Sequence, residues 1–117
     1  MTTTSSADRG LAPAECTLPT AEQPMRLAEF DALFTHHVQQ VHRADASRVV
    51  LALTGGPQVA GTAADLAARE SACCSFFTFD LIITNGTLTL TVSTTAAHMD
   101  VLAALADRAD SLAGAAR

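Results

Sequence analysis

The chain contains no tryptophan, no tyrosine and no lysine, so its seven basic residues are all arginines. These arginines are scattered along the 117 residues, and the formal net charge is −5. A protein that binds nucleic acid or an anionic membrane usually gathers its positive charge in one patch. The sequence therefore predicts neither a nucleic-acid partner nor a membrane partner.

Long apolar runs and a full set of paired cysteines are also missing. No apolar run approaches the roughly 20 residues that span a bilayer. The Ser- and Thr-rich start of the chain lacks the apolar core of a secretory signal. The three cysteines, an odd number, do not indicate a disulfide framework. We therefore expect a cytoplasmic protein whose thiols remain reduced.

Apolar residues at helical spacing predict three helices. The first covers 21–43, the second begins between Pro57 and Ala63 and ends near Cys74, and the last covers 96–113. The apolar stripe of the first helix consists of Leu27, Phe30, Phe34, Val38 and Val41. The stripe of the second consists of Val59, Ala63, Leu66, Glu70 and Cys73.

Runs of β-branched and aromatic residues predict strands over 47–54, 76–84 and 87–93, and a short strand over 15–18. Asn85-Gly86 predicts a type I′ hairpin turn, because both central residues of that turn need a positive φ. Strict alternation in the last strand predicts that one face of the sheet is buried and that its threonine row faces water or a groove.

These elements predict an α+β fold. We expect a small mixed sheet of three to four strands, in the order (β)αβαββα, with helices mainly on one face. A flexible tail over 1–13 precedes this single domain, which covers 14–117.

The adjacent cysteines Cys73 and Cys74 stand where the second helix ends and a strand begins. Two neighbouring thiolates favour soft cations of the Hg, Cu, As or Zn type, and a near-linear ion needs no further ligand. Cysteine is also a common buried residue, so a purely structural role is the alternative. A helix C-terminus disfavours a thiolate, which means that reactivity here requires a metal or a nearby cation. Cys16, if its strand joins the sheet, is a candidate third sulfur ligand.

Glu70 shares a helix face with both cysteines, on the stripe predicted to be buried. A carboxylate in the interior is costly unless it is paired or binds something. An arginine such as Arg26 or Arg48 is one candidate partner. The functional alternative is a general acid or base, or a further metal ligand.

Two histidines are candidate catalytic partners for Glu70. His37 lies on the apolar stripe of the first helix, and His98 lies in the first turn of the last helix. A buried structural histidine is the alternative for His37. The paired glycines after the second predicted strand lack the spacing of a phosphate-binding loop, so no nucleotide cofactor is indicated.

Three aromatic residues follow the cysteine pair and are candidates for the wall of a hydrophobic pocket. They are Phe76, Phe77 and Phe79. Such a pocket between helices and sheet, beside an acid or base, is how a small enzyme without a cofactor would be built.

The stretch also carries the pattern Glu-x-x-Cys-Cys-x-Phe-x-x-Phe. This pattern, followed by a hairpin and a terminal helix, resembles that of a group of short, largely uncharacterised bacterial proteins found among heavy-metal-resistance genes. The resemblance extends from about Cys16 to Leu112, with Ser75 in place of the proline that often follows the cysteine pair in that group. It implies that the chain binds a soft metal ion.

The sequence thus supports three hypotheses. The leading one is a soft-metal- or metalloid-binding protein that uses Cys73 and Cys74, with Cys16 or a histidine as the candidate third ligand. The second is a small cofactor-independent enzyme that acts on a small molecule with Glu70 and a histidine. The third is a homodimeric interaction module, and a homodimer is compatible with all three.

Overall fold

The computed structural model describes the backbone of residues 23–116 and, within them, the side chains of residues 28–72 and 74–114. Three helices and four strands make up this part of the chain, with the strands in two consecutive pairs. In chain order they are α1 (Gln23–His37), β1 (Val38–Asp45), β2 (Arg48–Leu53), α2 (Pro57–Cys73), β3 (Phe77–Thr84), β4 (Thr87–Thr94) and α3 (Met99–Ala116). A short 3₁₀ turn, Ala96–His98, leads into α3. The predicted strand over 15–18 and the predicted tail over 1–13 lie outside the described residues.

The four strands form one sheet in the order β1-β2-β4-β3, and every neighbouring pair is antiparallel. The predicted α+β class is therefore confirmed, but the expected mixed sheet is wrong for the described strands. The helical crossover through α2 does connect two strands of the same direction, β2 and β3, because both run antiparallel to β4. The hairpin return brings β4 between them, so no parallel pair forms.

The first helix ends at His37, six residues before the predicted end at Arg43, and β1 begins at Val38. The register of β1 against β2 shifts between Val38 and Gln40, which marks a β-bulge. The extra residue lets Val38 and Val41 face the same side of the sheet at a spacing of three. That spacing is also helical, which is why the sequence pattern predicted a continuous helix here.

Two tight turns fix the hairpins. The predicted turn at Asn85-Gly86 is confirmed, with φ values of 50° and 77°. In the other hairpin Asp45 accepts hydrogen bonds at Oδ1 from the backbone N–H and the hydroxyl of Ser47, both at 2.8 Å. An aspartate that accepts from the residue two positions later stabilises a turn without glycine or proline.

All three helices lie on one face of the sheet, as predicted. The side chains that β2 and β4 bury beneath them alternate along the strands and are Val49, Leu51, Leu53, Leu88, Leu90 and Val92. α1 packs mainly against α3, and also contacts α2. Arg43 of β1 forms ion pairs with Asp107 and Asp110 of α3 on this same face. The opposite face of the sheet is not covered by any described element.

Candidate functional site

The end of α2 leads directly into the sheet, and Cys74 is buried at this junction. The backbone N–H of Cys74 donates to the carbonyl oxygen of Glu70 at 2.7 Å, and the N–H of Phe77 donates to the carbonyl oxygen of Cys74 at 3.2 Å. These two bonds close the helix and start β3 within three residues. The predicted buried stripe is confirmed up to this point, through Val59, Ala63, Leu66 and Glu70.

A hydrogen bond joins the side chains of Cys74 and Glu70. The thiol of Cys74 donates to Oε2 of Glu70 at 3.0 Å. Cys74 is fully buried and Glu70 is only 6% exposed. A thiol is a weak donor, and charged acceptors strengthen such bonds. The bond therefore offsets part of the free-energy cost of removing the carboxylate from water.

The two arginines considered as partners of Glu70 are placed differently. The side chain of Arg26 lies outside the described part of the chain, and Arg48 is exposed at the start of β2. Among the described side chains, no buried nitrogen or oxygen atom lacks a hydrogen-bond partner.

The aromatic residues after the cysteine pair pack into the core rather than standing apart from it. Phe76 and Phe77 are buried with ring centroids 4.7 Å apart, and Phe79 is half-buried with its ring 5.8 Å from that of Phe77. The imidazole of His98 stacks on Phe76, with centroids 4.1 Å apart and planes only 8° from parallel. Oγ1 of Thr95 lies 3.2 Å from Nδ1 of the same imidazole.

His98 therefore lies at the same end of the sheet as the cysteine pair. Phe76, on which its ring stacks, follows Cys74 by two positions in the sequence. The sequence places His98 in the first turn of the last helix, but no pattern in it predicts the ring stack. The stack forms because the 3₁₀ turn after β4 crosses the start of β3, where the hydroxyl of Thr94 donates to the carbonyl oxygen of Phe76 at 3.2 Å.

His37, in contrast, lies at the other end of the sheet. Its carbonyl oxygen accepts from the backbone N–H of Thr54 at 2.7 Å, beyond the end of β2 where Leu53 pairs with Leu88. Phe77, next to the cysteine pair, is paired with Thr94. Six residues of β4 separate these two levels, which is roughly 20 Å at about 3.4 Å per residue. The structure does not bring His37 to Glu70.

The beginning of α1 lies toward the cysteine end of α2. Arg69 of α2 forms an ion pair with Glu29 of α1 at 3.0 Å and a second with Asp65 at 2.7 Å. The two helices run in opposite directions, because α1 ends and α2 begins at the same end of the sheet. Gln23 is about 9 Å of helix beyond Glu29, and Cys73 is about 6 Å beyond Arg69. Both helix ends thus reach about the same level.

Cys16 and the side chain of Cys73 lie outside the described residues, so their predicted roles as ligands stay predictions. Among the described residues, no group of three or more histidine, cysteine, aspartate or glutamate side chains is arranged to hold a metal ion. No helix in residues 23–116 combines the length and the apolar character needed to cross a membrane. Comparisons with protein-family models, with curated proteins and with solved structures gave no significant match.

Proposed function

We propose that the protein binds a soft metal or metalloid ion through the thiolates of Cys73 and Cys74. The observation that carries the proposal is the 3.0 Å hydrogen bond from the thiol of Cys74 to the buried carboxylate of Glu70. A thiol must lose its proton to become a metal ligand. Glu70 supplies an acceptor for the Cys74 proton within hydrogen-bond distance, so the bond from Cys74 to the metal forms as that proton moves from Sγ to Oε2. The proton of Cys73 is released to water as its sulfur binds the ion.

The position of the pair at a helix C-terminus favours metal binding over nucleophilic catalysis. Carbonyl groups at this end of α2 carry partial negative charge and disfavour an isolated thiolate. A bound cation removes this penalty, whereas a free nucleophile does not. Two adjacent sulfur ligands are enough for an ion that prefers linear coordination, such as Hg(II) or Cu(I).

Cys16 is the candidate third ligand. It precedes Gln23 by seven residues, and an extended segment of that length reaches at most about 23 Å. The start of α1 lies at about the level of Cys73, so this reach includes the cysteine pair. A third sulfur suits ions that take three or four ligands, such as As(III) or Zn(II).

The resemblance to bacterial proteins with the Glu-x-x-Cys-Cys-x-Phe-x-x-Phe pattern supports the same proposal. The glutamate and the two cysteines of that pattern are Glu70, Cys73 and Cys74 in this chain. Two of these, Glu70 and Cys74, are the residues that share the buried hydrogen bond.

Metal titration of the reduced full-length chain tests the proposal. We expect one Hg(II) per chain, detected by sulfur-to-metal charge-transfer absorption, and loss of this signal in both Cys73→Ser and Cys74→Ser. Cys16→Ser should keep Hg(II) and lose tight As(III) binding. Ser75→Ala, which changes the exposed neighbour of the pair, is the matched control and should bind as the wild type does. Metal uptake that is unchanged in Cys73→Ser and Cys74→Ser would overturn the proposal.

In the enzyme alternative, Glu70 and His98 remain candidate catalytic residues, whereas His37 lies too far from Glu70 to take part. The specific observation in its favour is the stacked imidazole of His98, which lies beside Phe76 at the end of the sheet that holds Cys74. An activity of this kind would be lost in His98→Ala and kept in His37→Ala. Metal uptake distinguishes it from the first proposal, because His98→Ala leaves all three cysteines in place.

A further inference from the structure

The face of the sheet opposite the helices forms a continuous surface across all four strands, which we call the open face. Its residues are small, β-branched or short polar side chains, with charged or titratable groups near its margins. They are Gln40 and His42 on β1, Arg48, Val50 and Ala52 on β2, Thr87, Thr89, Thr91 and Ser93 on β4, and Thr78, Asp80, Ile82 and Thr84 on β3. Large hydrophobic side chains are rarely exposed in the described chain, yet Ile82 on this face is 52% exposed.

One row of the open face carries opposite chemical groups at its two ends. The strand register aligns, from one edge to the other, His42, Val50, Thr91 and Asp80. Three strand spacings, or about 14 Å, separate the imidazole at one edge from the carboxylate at the other. These two side chains are therefore too far apart to pair within one chain.

We propose that a second copy of this chain covers the open face, with the twofold axis parallel to the strands. Rotation about that axis places β1 of one copy over β3 of the other and keeps each row at its own level. His42 then meets Asp80 of the second copy, and the symmetry repeats the pair at the opposite edge. The imidazole donates to the carboxylate at both edges, while Val50 and Thr91 meet at the centre.

The alternative axis, perpendicular to the strands, is unfavourable. An axis of this kind that passes through the His42–Asp80 row places Asp80 of one copy over Asp80 of the other. Like charges facing each other across an interface cost several kcal/mol. For two sheets stacked about this row, the register favours the parallel axis, which is also compatible with the aligned packing of two sheets.

The open face has the size of a small, weakly held dimer interface. Four strands at about 4.8 Å and roughly 24 Å of length give a flat area of about 450 Å² on each copy. Two copies therefore contribute about 900 Å² before side-chain relief increases the value, which exceeds most chance contacts and approaches the roughly 1,200 Å² of stable complexes.

Two neighbouring isoleucines of β3 provide a matched test. Ile82 lies on the open face, whereas Ile83 lies on the helix side and is 60% exposed. We expect sedimentation of the full-length chain to show a dimer that Ile82→Arg converts to monomer and Ile83→Arg leaves intact. Pairing through the edge of β3 would be indicated instead if both variants were monomeric. A wild-type chain that stays monomeric up to hundreds of micromolar would also overturn the proposal.

Exchange of the two edge groups tests the orientation. His42→Asp alone brings two carboxylates together and should weaken the dimer by about tenfold or more. Combining it with Asp80→His restores the pair with the donor and acceptor exchanged, so the double variant should recover the wild-type dissociation constant. Recovery supports the parallel axis, and a double variant no better than His42→Asp excludes it. Circular dichroism of each variant confirms that the fold is retained.

Discussion

The hydrogen bond between Cys74 and Glu70 predicts that alanine and serine at position 74 have different effects on stability. Cys74→Ala removes the thiol donor and leaves the buried carboxylate one donor short, which costs about 1–3 kcal/mol. It also removes a sulfur atom from a fully buried position, which adds a small packing loss. Cys74→Ser keeps a donor at nearly the same place and loses mainly packing. We expect a total of about 2–4 kcal/mol for alanine and about 1 kcal/mol for serine.

Urea unfolding of the two variants beside the wild type measures this difference. The midpoint should fall in the order wild type, Cys74→Ser, Cys74→Ala, while the slope stays constant because the exposed area does not change. Ser71→Ala, an exposed position on the same helix, is the control and should stay within about 0.5 kcal/mol of the wild type. If serine costs as much as alanine, the hydrogen bond to Glu70 contributes nothing and the cysteine acts only as a small apolar side chain.

Three further predictions concern parts of the fold away from this site. At Gly55, with φ of 121°, an added Cβ would lie 2.2 Å from Cγ2 of Val59, so Gly55→Ala should cost about 2–4 kcal/mol in urea unfolding. Gly56→Ala, which meets nothing within 4 Å, should cost less than about 1 kcal/mol. The Ser47 hydroxyl and backbone N–H lower the pKa of Asp45 below its usual 3.8, so this turn gains stability above pH 3.8 and loses it as pH falls through the lowered pKa. Ser47→Ala should raise the pKa of Asp45 in an NMR titration, and an unchanged value would contradict the assignment of the hydroxyl. Arg108 makes two parallel bonds to Asp31, at 2.5 and 2.7 Å, in a partly buried place, so Arg108→Ala should destabilise by about 1–2 kcal/mol and the more exposed Arg69→Ala by less than about 1.

The sequence predicted the second half of the fold closely because local signals agree there. The end of α2, the turn at Asn85-Gly86 and the alternation of β4 each follow from one strong pattern, whereas the start of α2 was predicted only to lie between Pro57 and Ala63. The first half lacks such punctuation. No glycine, proline or asparagine lies near the junction of His37 and Val38, where α1 ends and β1 begins. The bulge in β1 also places its apolar residues at a helical spacing. The strand forms there because β2 offers it a partner, which is a tertiary effect that local periodicity does not contain.

The candidate site was predictable only where helical periodicity applies. That periodicity correctly placed Glu70 on the buried face of α2. It assigned Cys73 to the same stripe and could not determine that Cys74, just beyond the last turn, donates to Glu70. This contact depends on the backbone leaving helical geometry at Cys74, where ψ is 86°. The distance between His37 and His98 depends on strand register. That register could not be predicted, because the residues of β1 were assigned to the first helix.

The two proposals concern opposite sides of the sheet, and this separation makes their tests independent. Glu70 and Cys74 lie under the helices at the end of the sheet where α2 stops, whereas His42 and Asp80 lie on the open face. A substitution on the open face leaves the hydrogen bond at Glu70 in place, so a monomeric variant should still take up metal if the first proposal is right. Coupling between dimerisation and metal uptake would instead require the core of the sheet to transmit a change across its thickness.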